Sequence, residues 1–447
     1  MKRLDTIRKK MTNTRLVAVS FAAVILVGAF LLCLPVSSAQ GEWTHPVDAL
    51  FTATSATCVT GLVVNDTGVH WSLFGQAVLL VLIQVGGIGF MSLITLFSFF
   101  LRRKMSLHDR RLILQSTGSL SMSGVSSTFR QLIAGTLLIE GVGALLLSYR
   151  FYPLYGKKGI WYAIFHSVSA FCNAGIDLLG AEGSVSFLAY RDDLLVSGTL
   201  MFLIVMGGLG FLVWHDLLHS RLRFRKMQLH TKLVLSISAI LIVGGWILIY
   251  LSERNAALAG LSEPQKLWAS LFQSVTTRTA GFTTVDQAAL SDSGVLISSF
   301  LMFIGGSPGS TAGGAKTTTV AVFLLCSWQL AQNRQSVTVF KRRVDDRIVR
   351  QAGAVVCFYL AAVLVATALI CAIEPFPLRE VLFEVTSAMA TVGLSMGMTP
   401  LLGVASKLIL ILLMYAGRLG GLSIFLALSE SETPPPLERP VEKILIG

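Results

Sequence analysis

The sequence predicts an all-α integral membrane protein of four covalently linked repeats. Each repeat is a membrane helix, a short re-entrant helix and a second membrane helix (an M1–P–M2 unit), giving eight spans and four re-entrant helices around a pseudo-fourfold axis. Three observations carry that prediction. Of 447 residues, 53% are hydrophobic and only 13% charged, a balance outside the soluble range. Eight runs are apolar over the ~20 or more residues that cross a hydrocarbon core, at 15–37, 72–101, 130–150, 194–218, 230–251, 293–330, 350–373 and 401–428. Four glycines, Gly61, Gly175, Gly281 and Gly393, recur 114, 106 and 112 residues apart, with Phe51, Phe165 and Phe383 ten residues before three of them and Phe272 nine before the other. A period this long means one unit used four times around an axis along which a pore can run.

The repeats divide as 1–110, 111–226, 227–340 and 341–428, followed by a tail at 429–447. The first apolar run follows MKRLDTIRKK, but no small-residue cleavage site leads to a soluble domain, so it reads as a retained helix. The six cysteines form no CxxC pair and read as small buried hydrophobes rather than metal ligands or disulfides. The net charge of +12 could suggest nucleic acid, so its placement decides. Segments 1–15, 101–111, 221–232 and 334–350 hold 22 of the 36 Lys and Arg residues, whereas 38–70, 150–193, 252–292 and 372–407 together carry 9 basic and 14 acidic ones. That alternation is the positive-inside bias in every repeat: both termini are expected in the cytoplasm, and nucleic acid is not needed.

Each outward segment contains a stretch too short to span the membrane, as in PVDALFTATSATC, IWYAIFHSVSAFC, PQKLWASLFQSVTT and LREVLFEVTSAMA. Pro46 and Pro264 near two of the starts suit helix N-termini. A short extended segment follows each: Val59-Thr60-Gly61, Asn173-Ala174-Gly175, Thr279-Ala280-Gly281 and Thr391-Val392-Gly393. Non-helical backbone at membrane depth is tolerated only where protein buries it or water meets it. One such loop alone would read as an ordinary turn. Four at matched positions can direct carbonyls at a dehydrated cation, and glycine permits the backbone angles this needs. Asp66, Asp177 and Asp286 follow three of the glycines and would either draw cations to an outer mouth or cap local turns, a choice the sequence leaves open. Arg278 is a cation beside the third strand, so its guanidinium is expected to point away from the axis and brace the loop.

The second span of every repeat carries a glycine cluster: QVGGIGF from Gln84, VMGGLGF from Val205, FIGGSPGSTAGGAK from Phe303 and YAGRLGG from Tyr415. In the first two repeats these glycines read as close-packing positions. The third is different. Gly305, Gly306, Ser307, Pro308, Gly309, Ser310, Thr311, Gly313 and Gly314 cannot remain a regular helix, so an intramembrane loop is expected over 305–316. Lys316 and Arg418 lie beside it, and ionisable groups at that depth are functional candidates by default. Arg418 is expected to donate to loop carbonyls and to raise the barrier to a passing cation. The string GSTAGGAKTT is no nucleotide loop, since Ala315 displaces Lys316 by one position from the phosphate-binding spacing. Glu140 fits none of this, and a helix-to-helix hydrogen bond is its plain explanation.

The strings TVG at Thr391–Gly393, TRTAGF and GGSPGSTAGGAK, with a glycine at all four strand positions, resemble the Trk/Ktr/HKT superfamily of potassium transporters, nearest the bacterial KtrB-type membrane subunits. The resemblance covers nearly the whole chain. It implies a channel-like, potassium-selective subunit of a bacterial uptake system in the plasma membrane, with the four strands as filter and 305–316 as gating loop. Some plant members have Ser at the position of Gly61, a change associated with sodium transport, so four glycines imply potassium preference. It further implies a cytosolic ring of KtrA-like nucleotide-binding subunits acted on by ATP and ADP, and a homodimer to which the C-terminus contributes. Potassium would be the transported ion, with no other metal, and nucleotide would act only through the separate ring. Sodium stimulation stays open. The alternative is an ion-coupled secondary transporter of another cation, which predicts paired inverted repeats instead of four in one orientation. A membrane enzyme would need convergent acids or histidines inside the spans, and the seven histidines lie mostly at span ends.

Overall fold

The computed structural model describes residues 13–89, 125–334 and 336–420. Expectations for the N-terminal basic arm, the end of the 72–101 run, the 101–111 loop, the 110/111 boundary, the end of the 401–428 run and the 429–447 tail fall outside those residues. In order, the helices are α1 (Asn13–Cys33), α2 (Pro46–Thr57), the single turn α3 (Thr67–His70) and α4 (Leu73–Ile88). Then come α5 (Val125–Tyr155), α6 (Lys157–Phe171), α7 (Leu194–Leu209) and α8 (Phe211–His219). These are followed by α9 (Leu229–Glu253), α10 (Glu263–Thr276), α11 (Asp292–Phe303) and α12 (Thr317–Ala331). A small hairpin, β1 (Thr338–Val339) with β2 (Arg342–Arg343), precedes α13 (Asp346–Ile373), α14 (Leu378–Ala390) and α15 (Val404–Leu419).

Local chemistry starts many of these helices. His45 accepts from the Val47 amide ahead of Pro46, Ser72 accepts from Gly75, and Asp193 from Leu195 and Val196. At α10, Gln265 reaches back to the Ser262 amide at 3.0 Å. Each cap satisfies an amide that the first helical turn leaves without a partner.

Among the described residues, Gln131–Tyr155, Leu229–Glu253 and Asp346–Ile373 are long and apolar enough to cross a bilayer alone, and α7 with α8 passes only as a pair bent by 90°. Shorter apolar helices run over Val17–Cys33, Leu73–Ile88, Asp292–Phe303 and Thr317–Ala331. Within the described residues the 293–330 run is interrupted over 304–316, as expected, and the 194–218 run is also bent, at Gly210. The surface is inverted relative to a soluble protein. Leu137, Leu145, Ile240 and Leu364 are exposed, whereas Thr52, Ser55, Ser167, Ser270, Thr276 and Ser387 are buried, as expected where lipid tails are the outer solvent. The cysteine expectation holds only in part, because Cys58 and Cys172 are buried but Cys357 is exposed.

Packing runs in a circle. Helix α1 lies on α2, α5 on α6, α9 on α10 and α13 on α14, so each short helix rests on the helix before it. Helix α4 then packs on α6, α7 on α10, α11 on α14, and α15 back on α2. Phe51, Phe165, Phe272 and Phe383, one on each short helix, are at most 1% exposed and lock them into the core.

Candidate functional site

The four short helices end at Thr57, Phe171, Thr276 and Ala390, and the glycine strands follow at once. The strands share one backbone pattern. Val59, Asn173, Thr279 and Thr391 have φ of 57°, 58°, 67° and 52°, and Gly61, Gly175, Gly281 and Gly393 have 97°, 65°, 86° and 91°. Left-handed angles at Val and Thr are rare and strained, and four strands holding them at the same step are over-determined by their surroundings.

The hydrogen bonds supply that constraint. The amides of Thr60, Ala174 and Val392 bond back to Ser55 O, Ser169 O and Ser387 O at 2.8, 2.7 and 2.8 Å, and that of Ala280 to Thr276 O at 2.9 Å. Strand three thus reaches back four residues where the others reach five, which accounts for Phe272 standing nine residues before its glycine. The Gly61 and Gly393 amides bond to the hydroxyls of Ser55 and Ser387 at 3.1 and 3.0 Å. In a trans peptide the carbonyl opposes the amide, so amides tied to the helices turn the preceding carbonyls the other way.

Those carbonyls converge. A Cβ built on Gly61 would lie 2.5 Å from Ala174 O, one on Gly175 2.5 Å from Ala280 O, and one on Gly281 2.5 Å from Val392 O. One on Gly393 would strike Thr60 O, which closes the ring in chain order. Any side chain at these positions would displace a neighbouring backbone, so glycine is required by space as well as by φ. The ring also receives the C-terminal, electronegative ends of four helices. Chemically it can replace the hydration oxygens of a cation.

Above the ring, the three aspartates act as caps. Asp66 accepts from the Gly68 and Val69 amides at 2.9 and 3.1 Å, Asp177 from Leu179 at 3.0 Å, and Asp286 from Ala288 at 3.0 Å. Asp66 and Asp286 remain exposed and Asp177 half-buried. Burial, with Asp66 nearby, raises the Asp177 carboxyl to about 7. Arg278 is 7% exposed and reaches Ser238 O on α9 at 3.5 Å, away from the ring.

Below the ring, chain 304–316 interrupts the span between α11 and α12. Thr311 spans two elements, its amide on Gly207 O at 3.3 Å and its hydroxyl on Phe171 O at 3.0 Å. Ser307 N donates to Gly208 O at 3.1 Å, and Phe211 N to Gly309 O at 3.0 Å. A Cβ on Gly313 would meet the Thr391 hydroxyl, which puts the loop directly under the fourth strand. Lys316 folds back to Ala312 O at 2.7 Å. Arg418 donates to Thr311 O in the loop and to Gly86 O on α4, with Gly87 O at 3.3 Å. One guanidinium therefore ties α15, the loop and α4 together. Gly305, Gly306, Pro308, Ser310 and Gly314 complete the turns of the loop, with Ser310 Oγ on Ser307 O at 2.7 Å.

The close packing expected of the first two glycine clusters is present, and the clusters also turn the chain. Gly86 and Gly207, like Gly417, do pack closely, each against the carbonyl at a short helix's C-terminus, Thr57, Phe171 and Met389. But Gly89, Gly210 and Gly420, with φ of 85°, 93° and 82°, end α4, α7 and α15 in one shared conformation. At α7 the cause is visible: loop amides take the Gly207 and Gly208 carbonyls, and Phe211 turns its own amide to Gly309 O. The left-handed Val59, Thr279 and Thr391 had no sequence signal, since neither Val nor Thr favours that region, whereas Asn173 is of a type that does.

Long apolar helices enclosing a cage of backbone carbonyls define the class, a multi-pass helical membrane protein. Residues 2–434 match the family model described as TrkH, cation transport protein, so the chain belongs to the TrkH family of cation transporters. The family is one of transporters, not enzymes. The chain is 39% identical to the potassium/sodium uptake protein NtpJ of Enterococcus hirae over 99% of its length and 98% of that protein's. It is 36% identical to the Ktr system potassium uptake protein B of Bacillus subtilis (strain 168), covering 95% and 94%. The crystal structure of the potassium transporter TrkH from Vibrio parahaemolyticus superposes with a TM-score of 0.70 at 18% identity, over 92% of this chain and 85% of that one. That likeness establishes the fold.

Proposed function

We propose that the protein is the potassium-selective, ion-translocating membrane subunit of a bacterial potassium uptake system, built from four M1–P–M2 repeats around one pore. The observation that carries this is the closed ring: each strand glycine abuts the next strand's carbonyl, and the fourth returns to Thr60. In this reading, Val59 to Gly61 and their three counterparts form the selectivity filter. Asp66, Asp177 and Asp286 supply the outer mouth with acid while capping its turns.

The loop from Gly305 to Lys316 is the gate. Arg418, donating to Thr311 O and Gly86 O, holds it shut and places positive charge on the path below the filter. The names of the relatives support potassium as cargo, and that of the Enterococcus hirae protein supports sodium as a second ion of the system. A Ktr-type system implies a separate cytosolic subunit, for which a KtrA-like nucleotide-binding ring docked on the basic face is our assignment, with a homodimer as the working assembly. The termini are assigned to the cytoplasm from the charge alternation.

Potassium and sodium flux into liposomes, with and without the cytosolic partner, tests the whole reading. Potassium entry blocked by Gly175→Ala and increased by Arg418→Ala is the expected result. Flux indifferent to both substitutions would remove the filter and the gate together.

A further inference from the structure

Ser55, Ser169, Thr276 and Ser387 occupy one position in the four repeats, near the end of each short helix, and each holds by its carbonyl the amide just before the strand glycine. Their hydroxyls do two different things. In repeats one and four the hydroxyl accepts from the glycine amide, Ser55 from Gly61 and Ser387 from Gly393. In repeats two and three it donates past the glycine, Ser169 Oγ to Ile176 O at 2.7 Å and Thr276 Oγ1 to Phe282 O at 2.6 Å. The ring is therefore alike in all four strands up to its glycines and splits into two unlike halves one residue beyond them.

A carbonyl that accepts from the helix behind its strand points at that helix, and so cannot also point at the axis. Ile176 O and Phe282 O are thus drawn back from the path, whereas among the described residues no hydrogen bond takes Leu62 O or Leu394 O. The surroundings hold the withdrawn pair in place. Phe187 N donates to Thr283 O at 3.0 Å and Thr283 N to Ser186 Oγ at 3.2 Å, so the chain leaving strand three is tied to the chain leaving strand two. The Phe187 and Phe282 rings meet edge to face at 5.2 Å, and Ile176 and Phe282 are at most 1% exposed. Repeats one and four are neighbours in the circle, α15 lying on α2, so the two withdrawn carbonyls share one side of the axis. Selection works by carbonyls that replace hydration oxygens, and a place left without a carbonyl has to be filled by water.

We propose that Ser169 and Thr276 are positioning residues that set the ion specificity of the outermost level of the ring. They make it a half-hydrated cation site, coordinated by Leu62 O and Leu394 O on one side and by water on the other, and confine full dehydration to the glycine level and below. This rests on the reading of the ring as a potassium filter. Thallium(I), a potassium mimic with a strong anomalous signal, reads the sites directly. In crystals of the full chain soaked with it, peaks are expected on the axis at and below the four glycines, and the peak one residue above them at less than about half their height. Thr276→Val keeps the shape and removes the donor, freeing Phe282 O. It raises the outer peak and increases the potassium-to-sodium uptake ratio in proteoliposomes about threefold. Thr276→Ser restores the hydroxyl and returns both readouts toward wild type, which a change of packing alone would not do. Ser169→Ala frees Ile176 O and is read in the same way should Thr276→Val fail to fold.

A wild-type outer peak as strong as those below it overturns the proposal, as does a folded Thr276→Val or Ser169→Ala with the wild-type ion ratio. Wild-type protein with no thallium on the axis and no potassium flux would instead overturn the filter reading and this proposal with it, so the two failures are distinguishable.

Discussion

Gly175 concentrates the demands on a single residue: its φ is +65° and an added methyl would lie 2.5 Å from Ala280 O. The left-handed angle alone costs a non-glycine residue roughly 1–2 kcal/mol, and the contact forces strand three outward as well. Gly175→Ala is expected to lower potassium uptake by more than about tenfold with the protein still membrane-inserted, measured as flux per inserted molecule. Asp177 offers a pH test. Its carboxyl is raised from 3.8 to about 7 by burial and by Asp66. A raised acid holds a proton in the folded state that the unfolded chain has released, so its contribution to stability falls as pH rises from 3.8 through about 7. Over that same interval the mouth gains negative charge. Apparent potassium affinity should therefore improve between about pH 6 and about pH 8, and Asp177→Asn should flatten that change. A profile identical in the substituted protein would remove Asp177 from the mouth.

The elements divide into those the sequence announces and those it hides. The short helices, the strand glycines and the interruption after Phe303 were legible, because spacing, proline and a run of glycine and serine between Ile304 and Lys316 are local signals. The bend at Gly210 was not. Its helix-forming neighbours Leu209 and Phe211 give no warning, and it exists because Gly309 O takes the Phe211 amide from about a hundred residues away. Arg418 could be marked from its depth in the sequence, but its grip on Gly86 O joins residues 332 apart and has no local trace. At this scale the gate is the element under test. Arg418 would place a buried positive charge below the ring, and each ~1.4 kcal/mol that it adds to a cation's barrier is tenfold in rate. Arg418→Ala, and separately a deletion within 309–314, should each raise potassium leak in the absence of any partner by about tenfold, measured in liposomes. Leak equal to wild type in both would show that the loop does not close the path.

For the whole molecule, composition was enough to read a helical membrane protein, since a chain this apolar has to bury its few polar groups inward. The fourfold period implied units around an axis, but the contact that closes the circle was not available from sequence alone, because the packing of α15 on α2 joins the two ends of the chain. The charge alternation makes a separate claim about orientation. With the native cysteines replaced, Gln40→Cys, exposed before α2, should react with an impermeant thiol reagent in intact cells, and Arg225→Cys, exposed before α9, only after permeabilisation. The reverse pattern would invert the topology and put the filter on the wrong side. The account stands most directly on ion choice: potassium against sodium uptake by the purified chain in liposomes, for wild type and Gly61→Ser. It predicts potassium favoured by at least about tenfold with four glycines, and a marked fall in that ratio when serine replaces one. Sodium entering as fast as potassium through the unaltered ring would contradict it.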